Sequence, residues 1–218
     1  MKEKAKEVGY AITKGAIGSV PIAGGVLSEL FSAVFNEPAT KRKEQVIYDI
    51  ENRLQYLEKE GVNLEELKEN EEFLSIAMQA YNIAMRTHQV DKRAALMNSI
   101  FNTSRLLIDE NEKLMFLNYI DQFTEWHLRI LSFLNDPRLA FEGKQLPNYY
   151  MGGKATVLEY AYPELENRRT FYDQVVKDLY SRGLIIHESL HVTVTGNSML
   201  GSSTSETGKK FIEFITIK

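Results

Sequence analysis

The sequence contains no cysteine. That removes disulfide scaffolds, thiolate-held zinc or iron–sulfur centres and cysteine nucleophiles, and it is compatible with a reducing compartment. It also lacks an excess of positive charge. Lys and Arg number 26 against 30 Asp and Glu, a net charge of −4, which argues against nucleic-acid binding driven by bulk charge. Proline is scarce (5) and glycine moderate (13) in 218 residues that are 44% hydrophobic and 26% charged. These values exclude a collagenous, low-complexity or mostly disordered chain and fit one large domain or two small ones. A long apolar run is missing as well. The uncharged stretch Gly15–Ser28 has 14 residues, where a spanning helix needs about 20, and Pro21, Gly24 and Gly25 interrupt it. Glu3, Glu7 and Lys14 fit a secretory signal poorly.

What the N-terminus does have is low charge from Gly15 to Asn36, with Glu29 the one exception. The expectation is a hairpin of two short helices over residues 9–36. Ala11, Gly15, Ser19 and Ala23 recur four apart and make a small-residue face. Pro21 ends that helix near Gly18 or Ser19. In the second helix Val26, Leu30 and Val34 form one apolar row and Leu27, Phe31 and Phe35 the next. A helix apolar nearly all round is either deeply buried or in a membrane, and both readings stay open here. On the membrane reading the contact residues are Gly15, Gly18, Pro21, Gly24, Gly25, Leu27, Leu30 and Phe31, with the basic Lys41, Arg42 and Lys43 touching anionic head groups. On the other reading those three are a solvated helix start.

Residues 38–134 read as successive helices. The first spans about Pro38–Glu60, with Val46, Ile47, Ile50, Leu54 and Leu57 inward and Gly61 as its stop. Asn63 with Glu66 opens a second, carrying Phe73, Ile76, Ala77, Ala80, Ala84 and Met85 on one side. A third runs from about Gln89 to Leu107 with Val90, Ala94, Met97 and Phe101 inward. Asp109 with Glu112 opens a long fourth helix that Asp136-Pro137 ends. The dense acid at Glu65, Glu66, Glu69, Glu71 and Glu72 reads as a solvated face.

After Pro137 the pattern changes. Residues 144–154 read as a linker. A short helix follows at about Ala155–Tyr162 and a longer one at about Asn167–Arg182, with Phe171, Val175, Val176, Leu179 and Tyr180 inward. Leu184–Ile186 and His191–Thr195 read as strands, Gly196-Asn197 as turn material, and a closing helix begins at about Thr204. This order, with "LYSRGLI" and "SETGKKFIEFI", resembles the end of many winged-helix modules. The expected fold is therefore mainly α. Residues 1–124 would form a helical bundle with the apolar hairpin, and residues 125–218 a small α+β winged-helix-like unit. In that unit Arg168, Arg169 and Lys177 are the candidate contacts to nucleic acid or another partner. Residues 138–218 hold ten Lys/Arg against nine Asp/Glu, so a protein contact is at least as well supported as DNA.

His187-Glu-Ser-Leu-His191 matches the H-E-x-x-H pattern of zinc hydrolases. There the spacing puts both imidazoles on one helical face and the glutamate activates water. Here the motif lies between strand-like runs. On a strand Glu188 would point away from the histidines, and Glu206 and Glu213 are formal third ligands only. Surface histidines on a wing are the alternative.

Taken together, the apolar Val20–Phe31 run, the KRKE start, the Ala-rich stretches 77–87 and 92–98, "HLRILSFLNDP" and the winged-helix-like tail resemble poorly characterised bacterial proteins of the abortive-infection alpha type. The resemblance implies a cytoplasmic protein with a role in defence, in which the hairpin acts at the inner face of the cell membrane or docks to something else. It carries over no catalytic residue. The expectation is a non-enzymatic protein with no cofactor and no small-molecule substrate, working through a protein partner or self-association and through a membrane. A soluble winged-helix adaptor or DNA-binding regulator is the alternative, and a zinc-dependent hydrolase using the HESLH motif the third reading.

Overall fold

A computed structural model describes residues 37–143 and 150–217. The expected hairpin 9–36, with its candidate membrane residues from Gly15 to Phe31, lies outside the described residues, as does most of the expected linker. The chain divides into two compact units, Met1–Gln45 and Val46–Lys218.

Ten helices and one small sheet make up the described residues. Helix α1 is Glu37–Lys59, α2 Leu64–Lys68, α3 Glu71–Arg86, α4 Val90–Thr103, α5 Glu110–Gln122 and α6 Glu125–Asn135. A 3-10 turn, Leu139–Phe141, leads on towards strand β1, Met151–Gly152. Then come α7 Lys154–Ala161, a second 3-10 turn Pro163–Leu165, α8 Arg169–Ser181, β2 Val194–Thr195, α9 Gly196–Met199 and α10 Glu206–Ile215. The expectation of a mainly helical fold with a little sheet is met. The two strands are antiparallel, with Met151 opposite Thr195 and Gly152 opposite Val194.

Polar caps decide where helices start, and they break two of the expected long helices. Asn70 accepts from the Phe73 N–H at 2.9 Å, satisfying a donor that the first turn leaves free. The helix expected from Asn63 onward is therefore split into α2 and α3. Thr124 does the same between α5 and α6, where one continuous helix was expected. The buried faces also rotate from the expected ones. Of the row expected inward on α4, Met97 and Phe101 are buried, but Val90 is 65% exposed and Ala94 is exposed, while Ala95, Leu96 and Ile100 are buried as well, because α4 packs against both α3 and α10. Ile47 and Tyr180 also face solvent instead of the core.

The strands expected at Leu184–Ile186 and His191–Thr195 shrink to a single antiparallel bridge, Ile185 with Thr204, and to the two-residue β2. Gly196-Asn197 opens the short helix α9 instead of a turn. Four aromatics, Phe116 and Phe123 from the α5 end and Phe211 and Phe214 from α10, pack together with Phe116–Phe211 centroids 5.3 Å apart in an edge-to-face pair.

α10 starts against the chain that follows α8. The Ser205 hydroxyl donates to the Gly183 carbonyl at 2.5 Å and accepts from the Gly208 N–H at 2.9 Å, while the Ser205 N–H donates to the Leu184 carbonyl at 3.0 Å. This approach leaves no room at Gly208, where a Cβ would stand 2.0 Å from the Leu184 carbonyl oxygen. Main chain cannot swing aside as a flexible side chain can. Gly208→Ala is expected to cost about 3 kcal/mol or to prevent folding, read as the urea midpoint. A midpoint within the wild-type error would contradict this packing.

Candidate functional site

The candidate contacts Arg168, Arg169 and Lys177 all reach α8. Asn167 at φ +63° turns the chain into this helix, a left-handed conformation that asparagine tolerates. Arg168 stands at the N-cap position, where its side chain makes no cap hydrogen bond, and its guanidinium lies 4.2 Å from the centre of the Phe171 ring. Arg169 Nε lies 3.4 Å from Asp173 Oδ2. Lys177 is exposed. Residues 169, 173 and 177 are each four apart and form one stripe along the helix, so the basic edge has a carboxylate at its middle.

That carboxylate also holds His191. Its Nε2 lies 2.7 Å from Asp173 Oδ1, and the imidazole sits 5.9 Å from the Tyr172 ring. Tyr172 is buried and its hydroxyl donates to Glu159 Oε1 at 2.8 Å. Burial first, and then the Glu159 carboxylate, push this phenol well above its ordinary range. A phenol held protonated in this way orients its neighbours and is a poor base. The structure therefore brings Arg169, Asp173 and His191 together at α8, with the Tyr172–Glu159 pair beside them.

His187 is not part of this group. It is exposed in the irregular stretch 187–193, so HESLH occupies neither the helix that zinc chemistry needs nor the strand expected for it. Among the described residues no three His, Asp or Glu gather where they could hold a metal ion. Lys41 and Lys43 are exposed on the first turns of α1, and Arg42 is half-buried.

Two groups give no signal in the sequence. Lys154 is 6% exposed and donates to the Met199 carbonyl at 3.1 Å and the Gly201 carbonyl at 2.5 Å. Burial pushes this ammonium down to about 8. His127 occupies the third position of α6, where glutamate or glutamine completes a capping box. Its Nδ1 lies 3.1 Å from the Thr124 main-chain nitrogen and 2.9 Å from the Thr124 hydroxyl. A main-chain N–H can only donate, so Nδ1 accepts and the ring proton sits on Nε2. That nitrogen is 3.3 Å from Asp178 Oδ2 on α8, and the ring stacks on Phe123 at 4.7 Å. Thr124 is only three residues from His127, but Asp178 lies 51 positions from it and the carbonyls that Lys154 binds lie 45 and 47 positions away.

The sequence matches no protein-family model, no curated protein and no solved structure.

His127 makes a pH-dependent prediction. Burial holds its imidazole below the ordinary value, Arg182 and Lys92 add to this, and Asp178 opposes it. Between about pH 6.5 and the lower native value, the unfolded chain binds a proton that the native chain does not. Stability contributed by neutral His127 is therefore present above pH 6.5 and lost as pH falls through that window. His127→Gln keeps an acceptor for the Thr124 N–H and does not titrate. Urea unfolding in steps from pH 7.5 to 5 should show wild type losing stability that the variant retains. Two parallel curves would contradict the assignment.

Proposed function

We propose that the protein is a non-enzymatic binding protein of the abortive-infection-like kind. In this reading the apolar segment 9–36 engages a membrane and the C-terminal part, arranged as a winged helix, contacts a partner. The observation that carries the reading is the exposure of Lys41 and Lys43 directly after a stretch of low charge and high apolarity. Cations at that position are drawn to an anionic leaflet by about 1 kcal/mol each, and the apolar stretch supplies the area that a head-group layer can bury. Among the described residues no helix is long and apolar enough to cross a membrane, so the membrane contact rests on segment 9–36.

The order of elements supports the winged-helix arrangement. α6, β1, α7 and α8 are followed by the Ile185–Thr204 bridge, with β2 and α9 as an excursion between its two partners. On this view α8 is the presented helix and residues 187–193 the wing. Asp173 within the basic stripe, together with exposed Tyr180, Ile186 and Val192, favours a protein partner, because phosphate repels the one and ignores the others. The second reading, a winged-helix regulator bound to DNA, is favoured by Arg168 and Lys177 at the solvent edge of α8.

The test is flotation of the full-length protein with vesicles of anionic or zwitterionic lipid. The reading expects co-flotation with the anionic vesicles alone, reduced several-fold in Lys41→Glu/Lys43→Glu and abolished by Leu30→Asp/Phe31→Asp in a protein with unchanged helicity. No flotation with either lipid would end the membrane reading. Salt-sensitive binding to duplex DNA, lost in Arg168→Ala/Lys177→Ala, would then favour the regulator.

A further inference from the structure

A groove of about 650 Å³ runs between α3 and α5, and none of its lining residues lies on α8. Its apolar surface comes from α3. Leu74 and Met78, four apart, are 42% and 65% exposed, and Ile83 is buried beneath. A methionine so far in solvent on a helix flank is unusual for a side chain that packs well in irregular apolar gaps and is frequent at adaptable binding surfaces. Polar pairs bridge the two walls. Gln79 Nε2 donates to Asn118 Oδ1 at 3.1 Å, and Arg86 pairs with Asp121 at 2.9 Å.

The two ends differ in charge. At one end the Arg86–Asp121 pair is neutral. At the other, Glu71 lines the groove and continues into α2. Residues 64–72 carry five glutamates and one lysine, a net −4 that equals the charge of the whole chain. Glu72 is neutralised by the buried Lys113 at 2.6 Å and Glu65 by Lys68, while Glu69 and Glu71 are exposed. Sequence alone reads this acid as a solvated face. The groove beside it gives the acid a direction.

We propose that the α3–α5 groove docks an amphipathic helix of basic character from a partner protein. Apolar anchors of that helix would lie over Leu74, Met78 and Ile83, as helices in grooves do at i, i+4 and i+7 spacing. Its Lys and Arg would sit at the Glu71 end, where opposite charge fixes orientation and speeds encounter. The Gln79 and Asn118 amides lie beneath the docked helix as the polar contacts that accompany an apolar centre. This surface is independent of the membrane reading and stands or falls separately from it.

The experiment uses the full-length protein with ¹³C-methyl methionine and two probes. One is a synthetic amphipathic helix of leucine and lysine, and the other is the same sequence with glutamate for lysine. The proposal expects the lysine peptide to shift the Met78 methyl and to leave exposed Met151 and buried Met97 unmoved. Affinity by anisotropy should fall tenfold or more in Met78→Glu and several-fold in Glu69→Lys/Glu71→Lys, and the glutamate peptide should not bind. Both substitutions are at exposed positions, so folding is not at stake. Binding that neither variant weakens, or that moves Met151 as much as Met78, would overturn the proposal. A Met78 shift that follows protein concentration with no peptide present would also overturn it, assigning the groove to a second copy of the chain.

Discussion

Among the described residues four helices end on carbonyls that a side chain from another helix caps, and the packing depends on this exchange. The last carbonyls of a helix have no partner within it, and burying them unpaired costs about 1–3 kcal/mol each. At the end of α10 the Asn102 amide donates to the carbonyls of Glu213, Phe214 and Thr216 at 2.9, 3.0 and 2.7 Å, and Asn98, one turn earlier on α4, takes that of Ile215 at 2.9 Å. Buried lysines do the same elsewhere. Lys113 reaches the Thr103 carbonyl at the end of α4, Lys92 the Asp121 carbonyl near the end of α5, and Lys154 the Met199 carbonyl at the end of α9. An ammonium is well placed there because the carbonyl end of a helix carries partial negative charge. The cost is desolvation, which is the leading reason that Lys92 and Lys154 fall below the usual lysine range.

Those caps also explain which parts of the fold are legible in the sequence. Period and local caps name most helices. Asn63, Asn70, Asp109 and Ser205 each bind an amide two or three residues on, so the relevant partners lie within one sequence window. Lys113, Lys92 and Asn102 look like ordinary polar positions, because their partners are 10, 29 and over 110 residues away. The same distance problem hides the true buried face of α4. Met97 and Phe101 of the expected row are buried, but Val90 and Ala94 are not, because the packed side is also the one carrying Asn98 and Asn102 to α10. The strands fail for a different reason. His191–Thr195 alternates, but Asp173 draws the His191 ring down onto α8, which leaves only Val194 and Thr195 in register with β1.

At α8 the residues chosen from sequence are largely those that the helix presents, because a stripe on a helix can be read from spacing alone. Its meaning could not be read that way. Asp173 looked like one acid among several, whereas it ties Arg169 on its own helix to His191 on the following loop. A basic edge with a carboxylate at its middle and Arg169 already paired to it offers phosphate less than its count of cations suggests.

The perturbed groups bear on catalysis as well. A catalytic acid or base needs a shifted pKa together with an open path to substrate. Among the described residues Lys92, Lys154, Tyr172 and His127 combine burial with a shift, and each spends its polar atoms on the fold: Lys92 on the Asp121 carbonyl, Lys154 on two carbonyls, Tyr172 on Glu159, His127 on Thr124 and Asp178. Charged and apolar side chains with free access stand at the head of α1, along α8 and beside the α3–α5 groove. Exposed carboxylates are shifted too: hydrogen bonds from Asn111 hold Asp109 below the usual carboxylate range, a main-chain hydrogen bond and Arg129 do so for Glu164, and Lys209 does so for Glu206.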